Sequence, residues 1–438
     1  MHPRNSLRLF LGWAAISSVL WGQESGDLPG VVSVTARDEA TRIVVVFSRP
    51  VERASAERIE NYTIAPGVKV AKAARGIDLA TVVLTTSALE EGKTYTLTVF
   101  GASREFAFTK GIFGAAPPVA QGRLNHARRP LPPPPKFREP VPFNTPEADA
   151  ILSSLQIFPP DNGWNEDISK RPVDPISDKM IAKIGAEKHL NPSRAHSFIL
   201  VPPNQPRVEV KLGQYAAGSD KGPYPVPANA SIESWPLSGE KLEDNQSKGT
   251  GDRHLIVLDP ANSALYEFFY AFKKTGGWEA SGAAIFDLRS NGRKPYQGSA
   301  IAAGTSLFAG LVRHDECERG MVEHAIRCTI ARHRNVHLYP ATTHPTDGGT
   351  EADLPAMGQR FRLKASVDLR GFSKHALAIA LGLKKYGMIV TDDGLDWDID
   401  IASDPRIIGL DALRKLKGSD FEVIVPTGER EGPRAGSK

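Results

Sequence analysis

Apolar and polar residues alternate with a period of two across residues 28–110, in runs such as "VVSVTA", "RIVVVFS", "YTIAP", "VKVAKAA", "TVVLTT" and "TYTLTVF" separated by Gly, Pro and Asn breaks. Alternation of this kind turns one face of each strand to a core and the other to water, and predicts a small β-sandwich. From about 145 to 430 most segments also read as strands: "HSFILVP", "RVEVKL", "HLIVLD", "AAIFDL", "RHRNVHLYPA", "RFRLKASVDL" and "FEVIVP". Two stretches have helical spacing instead. In "TPEADAILSSLQ" Thr145 is placed to cap and Pro146 suits the first turn. In "KHALAIALGLKKYG" a Ser373 cap opens the helix and Gly387 closes it, at the position that favours a left-handed residue. The fold class expected is mainly β, a β-sandwich followed by a larger β-sandwich or jelly-roll body with peripheral helices, with a closed barrel as the alternative.

Composition sets the boundaries of these parts. Eight prolines fall between Pro117 and Pro140, including "PLPPPP", so residues 111–144 are expected to form an extended, semi-rigid spacer. Arg4 and Arg8 precede an apolar run from Leu9 to Trp21, the order of a secretory leader over residues 1–22, followed by a soluble chain that is secreted or periplasmic. Leu20 fits the cleavage site poorly, and an uncleaved anchor is the alternative. Residues 431–438 read as a disordered tail. At 438 residues with a formal charge of +4 and no block of like charges, the chain gives no reason to expect a nucleic-acid partner. No phosphate-binding loop, dinucleotide fingerprint, G-x-S-x-G elbow or H-E-x-x-H is present. No metal and no cofactor are expected.

The densest chemistry lies in "LVRHDECERGMVEHAIRCTI", residues 311–330, which reads as a buried hairpin turning at "ERG". A two-residue turn at Arg319–Gly320 would set Asp315 opposite His324; a three-residue turn would set His314 there, with Glu316 diagonal. Either register gives His324, on an apolar face, a carboxylate neighbour. Such a pair is a satisfied core contact or, if the face opens on a cleft, an acid–base group. Neither register lets Cys317 and Cys328 bond, so both are expected reduced and buried.

Other candidates are more scattered. His254 precedes the strand "HLIVLD". In "GGWEASGAAIFDLRSNGR", Trp278 could stack on a sugar ring or pack in the core, and Asp287 with Arg293 suggests a strand-end salt bridge. His337 and His344, seven apart on an extended segment, should project to opposite faces. "TDDGLDWDID" reads as a turn with solvated carboxylates, since it lacks the spaced ligands of a calcium loop.

Residues 28–110, with "IVVVFSRPVERASAERIENYTI" and "LEEGKTYTLTVFG", resemble the Ig-like modules of bacterial extracellular proteins. Residues 160–425 resemble a family of secreted bacterial and fungal proteins with no assigned activity. The matching stretches include "GDRHLIVLD", "LYEFFYA", "SGAAIFDLRSN", "GLVRHDE", "EHAIRCT" and "YGMIVTDDG". The family's tryptophan and aspartate before "AAG" are replaced here by Gln297 and Ile301. The positions singled out are His254, Glu267, Asp287, Arg293, Asp315, Glu316, His324, Arg327 and His344. The function expected is hydrolysis of extracellular polysaccharide. Asp315 or Glu316 would be one carboxylate, oriented by His324, and Glu267 or Asp287 the other. Trp278 would be the sugar platform, and His254, Arg293, Arg327 and His344 would be substrate contacts. A non-catalytic carbohydrate-binding or surface protein is the alternative.

Overall fold

The computed structural model describes residues 29–428 apart from 38–39, 48–50, 76–80, 110–122 and 293–298. The leader, Arg293, Gln297 and the C-terminal tail therefore lie outside the described residues. Two compact units emerge, one drawn from residues up to 106, the other containing 107–438 with the short segments 36–41 and 88–94.

The N-terminal strands run in the spatial order Tyr62–Ala65, Thr94–Val99, Ala102–Thr109, Val31–Arg37, Arg42–Phe47, Thr81–Thr86, Val70–Arg75. Period-two alternation has the expected result: Ile43, Val45, Val82, Leu84, Tyr95, Leu97 and Val99 are all buried. The first strand pairs parallel with the last, Ala36 opposite Phe108.

The larger unit has two main sheets. One contains, in spatial order, Gly282–Asp287, Ala264–Phe269, Leu255–Asp259, Ile199–Leu200 and Val141–Pro142. The other contains Phe421–Val423, Arg360–Leu363, Met388–Asp393, Ile326–Ile330, Asp398–Ala402 and Asn191–His196. The mainly-β expectation stands, and the pairing refines it. Both sheets are mixed: Ile326–Ile330 runs parallel to Met388–Asp393, Asp398–Ala402 to Asn191–His196, and Ile199–Leu200 to Val257–Leu258. Parallel neighbours need long crossovers, and one of them passes through the helix Lys374–Lys385.

Leu200, Ile256, Leu258, Leu265 and Phe286 of the first sheet share one core with Cys328, Met388, Val390, Ile399 and Ile401 of the second. The far face of the first sheet is also covered, with Ile199, Val257, Tyr266 and Phe268 packed against Tyr224 and Trp278. A strand buried on both faces has no polar side to show, which is why "LIVLD" is nearly all apolar. Cys317 and Cys328 are free and buried, as expected. Among the described residues no helix is long and apolar enough to cross a membrane.

Local chemistry places the helices. Thr145 Oγ1 accepts from the Ala148 amide at 3.2 Å and Ser373 Oγ from that of Ala376 at 3.3 Å, each opening a helix where the side chain satisfies a free N–H. The spacer expectation changes over residues 123–131. Asn125 Oδ1 accepts from the Arg129 amide at 2.7 Å to close a turn, and Leu124 bridges to Pro130. Arg123 donates to the Ser154 carbonyl at 2.9 Å, while Asn125 and Arg129 donate to Glu323 at 2.6 and 3.0 Å. This stretch is a turn tied to the rest of the larger unit by side-chain hydrogen bonds, and it contains a single proline, Pro130.

Gly387 has φ +71°, and a Cβ there would meet the Phe361 carbonyl oxygen and, at 2.6 Å, Ile168 Cδ1. Gly387→Ala should therefore cost roughly 2 kcal/mol or more. The check is the urea midpoint of the larger unit, which should fall; an unchanged midpoint would refute the constraint.

Candidate functional site

Residues 311–330 do not form a hairpin. His314–Arg319 is a helix ended by Gly320 at φ +93°, and the Glu316 carboxylate accepts from the Arg313 amide at 3.3 Å to close its first turn. Acids in the first turn and a base in the last complement the helix dipole. That charge order, with glycine just beyond, outweighs the alternation that suggested a strand. Ile326–Ile330 is a strand, but its partners are Met388–Asp393 and Asp398–Ala402.

His324 nonetheless meets a carboxylate, through helix-to-loop packing: its Nε2 lies 3.1 Å from Glu316 Oε2. Arg313 donates to the other Glu316 oxygen at 2.7 Å, and Asp315 pairs with Arg319. All four of Arg313, Asp315, Glu316 and His324 are buried. Burial alone would raise the Glu316 pKa, but Arg313 and His324 outweigh it and hold the carboxyl down to about 2. Burial pushes Asp315 up, against the pull of Arg319. The adjoining cavity, of about 30 Å³, has room for one or two waters and none for a sugar ring. The catalytic expectation for Asp315, Glu316 and His324 is corrected accordingly: they form a buried ion-pair knot beside a cavity too small for a sugar.

The other expected residues divide. The Glu267 carboxylate accepts from Ser306 Oγ at 2.7 Å and from the Leu307 and Phe308 amides at 3.0 and 2.9 Å, so its capacity is spent on a buried turn. Asp287 pairs with Arg289 at 3.1 Å; Arg293 lies outside the described residues. Trp278 is 6% exposed within a core cluster, which removes it as a sugar platform. His337 and His344 do not diverge: the chain turns between them and their Nδ1 atoms approach to 2.9 Å at the surface.

His254 and Arg327 enter a different group, together with His196, Glu233, Asp392 and Asp400. Ile199 pairs in parallel with Val257, and the same register carried three residues back puts His196 beside His254. Their rings stand nearly perpendicular with centroids 5.2 Å apart. Glu233 reaches in from the loop after buried Ile232. The Glu233 amide donates to the His254 carbonyl at 2.9 Å, and the His254 amide donates to Glu233 Oε2 at 3.1 Å. Across the carboxylate, His254 Nδ1 lies 3.0 Å from Oε2 and His196 Nδ1 4.0 Å from Oε1. His254 Nε2 faces the Ala300 carbonyl at 3.2 Å, and His196 Nε2 faces Asp400 Oδ2 at 3.4 Å. Arg327 pairs with Asp400 and, at 2.9 Å, with Asp392.

Charge is distributed unequally in this group. Burial drives His196 down to about 3, so its ring is neutral at ordinary pH. Burial would raise Glu233, but the hydrogen bonds from the His254 ring and amide outweigh it and hold the carboxyl below its usual range. For His254 burial lowers the pKa, and the Glu233 bond reverses that into a net rise. Burial raises Asp392 despite Arg327. Glu233 and Asp392 keep 19% and 18% of their side chains exposed, so the group reaches solvent through its carboxylate members, whereas the Glu316 knot does so through Arg319.

Sequence reasoning missed His196, Glu233 and Asp400. A signal for the first existed: "HSFILVP" and "HLIVLD" each place a histidine at the head of an apolar strand. Asp400 was hidden because "TDDGLDWDID" is not a solvated turn. Met388–Asp393 and Asp398–Ala402 are strands, and Asp400 is 3% exposed.

Glu316→Gln leaves Arg313 buried beside a neutral amide and should destabilise the larger unit by about 3–5 kcal/mol. The native carboxyl ionises near 2, against 4.5 when unperturbed. Its contribution is thus complete above about pH 4.5 and lost as pH falls toward 2. Melting temperatures of wild type and variant should converge over that interval; a constant gap would count against the ion pair.

No family model matches the sequence and no curated protein does. Among solved structures, the S-layer protein rSbsC is 22% identical over 28% of this chain and 17% of its own, with a TM-score of 0.19. An L,D-transpeptidase from Mycobacterium smegmatis is 19% identical over 27% of this chain and 62% of its own, with a TM-score of 0.16. One from Mycobacterium tuberculosis H37Rv is 20% identical over 19% and 40%, with a TM-score of 0.14. Each match spans less than two thirds of the other protein, and at these TM-scores none carries an inference about this chain.

Proposed function

We propose that the larger unit is the catalytic part of an exported hydrolase of extracellular polysaccharide, with His196, Glu233 and His254 as its reacting centre in place of Asp315, Glu316 and His324. The observation that carries the reading is the convergence of two imidazoles on one carboxylate that reaches solvent, backed by the Arg327–Asp400 pair. Hydrolysis breaks the sugar–oxygen bond as water adds, so one group must take the water's proton and another must protonate the leaving oxygen; the Glu233 carboxylate can do the first and protonated His254 the second. Support for the substrate class is the order of the chain: an apolar leader, an Ig-like module, then this centre.

A second reading, a carbohydrate-binding protein without turnover, is favoured by Ile301. This residue stands where the family resemblance puts an aspartate, is 6% exposed in the core, and follows Ala300, whose carbonyl faces His254.

The test is reducing-end release and pull-down by the full chain on one polysaccharide panel. Glu233→Gln should lower release by about 10²–10⁴-fold and leave the near-ultraviolet circular dichroism unchanged. Release unaffected by Glu233→Gln sinks the assignment of the centre, and binding without release across the panel selects the second reading.

A further inference from the structure

We infer that His196, Glu233 and His254 hold a divalent metal ion with nitrogen and oxygen ligands, zinc being the probe of choice. The inference uses the same side chains as the proposed hydrolase and is independent of its substrate. One ligand atom from each of the three residues lies within 4.8 Å of the others. The two imidazole Nδ1 atoms stand 3.0 and 4.0 Å from the carboxylate oxygens. Tetrahedral zinc with bonds near 2.1 Å separates its ligands by about 3.4 Å, so the gap requires only small side-chain movement.

The second observation is His196 Nδ1. The ring is buried and its Nδ1 has no hydrogen-bond partner among the described residues. Leaving a polar atom dry and unpaired is costly, and this one points at the carboxylate and the other imidazole. The outer nitrogens complete the pattern, His254 Nε2 against the Ala300 carbonyl and His196 Nε2 against Asp400. An acceptor behind a ligating histidine fixes its tautomer with the Nδ1 lone pair turned to the metal; the Ala300 carbonyl does this for His254, and Asp400 stands 3.4 Å from His196 Nε2. Carboxylates outnumber guanidiniums here: Asp392 and Asp400 pair with Arg327, Asp252 and Asp398 add to the negative field at the imidazoles, and Arg253 acts on Glu233. Binding is a plain exchange, in which the ion takes the Nδ1 lone pair of His254 and any proton held there leaves to solvent.

A second triad shows what fails. His314, Glu318 and His375 also offer three ligand atoms, but His375 Nδ1 accepts from the Ile408 amide at 3.1 Å. Its proton is therefore on Nε2, the nitrogen 2.7 Å from Glu318, and no lone pair faces the centre. Lys374 also holds the same carboxylate at 2.6 Å.

Isothermal titration of the chelator-treated full chain with zinc, and metal analysis after dialysis, test the inference. Wild type should retain about one ion per chain. Glu233→Gln, an isosteric change at a partly exposed position, and His196→Gln should each weaken zinc about 100-fold or more, and Asp400→Asn about 10–100-fold. His375→Ala and His344→Ala should leave affinity and stoichiometry unchanged. Absence of a retained ion, or binding abolished in His375→Ala or His344→Ala yet kept in Glu233→Gln, overturns the inference. A chain that binds zinc but releases no sugar overturns the hydrolase reading alone. Release that persists with zinc binding absent overturns this inference alone.

Discussion

One short parallel pairing governs the candidate centre. Ile199 and Leu200 lie alongside Val257 and Leu258, and because parallel strands start at the same edge, the residues just before each strand emerge together. His196 and His254 are those residues. The pairing is enclosed, since all five residues of Leu255–Asp259 are buried, and it is continued by the Val201 amide, which donates to the Leu258 carbonyl at 2.9 Å. A backbone register thus places two imidazoles from distant parts of the chain with their ring centroids 5.2 Å apart.

The second sheet supplies the charged half. His196 ends Asn191–His196, Asp400 lies on the neighbouring parallel strand, and Arg327 is one strand further on, within reach of Asp392. Arg327 consequently ties three strands together while neutralising two carboxylates. Its own backbone is tightly enclosed: a Cβ on Gly310 would fall 2.7 Å from the Arg327 amide nitrogen and 2.6 Å from Trp164. The lack of a side chain at Gly310 is part of what lets the buried guanidinium keep its position.

The two histidine–carboxylate pairs of the larger unit share a chemistry and differ in closure. At Glu316, Arg313 and His324 occupy the carboxylate oxygens, and the adjoining cavity of about 30 Å³ has room for no more than one or two waters, so the pair has little left to offer a ligand. At Glu233 the carboxylate is partly open, one imidazole nitrogen is unpaired, and the surrounding charge is negative. Buried ion pairs are therefore poor indicators of function unless their remaining valences are followed to the end.

The linear pattern was enough for the two-part, mainly β organisation, the helix caps at Thr145 and Ser373, the left-handed stop at Gly387 and the reduced cysteines, because each depends on residues within a few positions of one another. In that pattern His254 stood out at the head of an apolar strand, and Arg327 only through the family resemblance, both as substrate contacts. It misread 311–317 as a strand, since short apolar-polar alternation fits one helical turn nearly as well and the decisive charge order acts only through the dipole. His196, Glu233 and Asp400 belong to separate strands and a loop. Their meeting required the parallel pairing, the mixed sheet and a loop folded back through one backbone and one side-chain hydrogen bond to the His254 main chain, all long-range contacts with no trace in local spacing. Tertiary structure alone decided which carboxylate was closed off and which kept a face to solvent, because that depends on how many neighbours fill its hydrogen-bonding capacity.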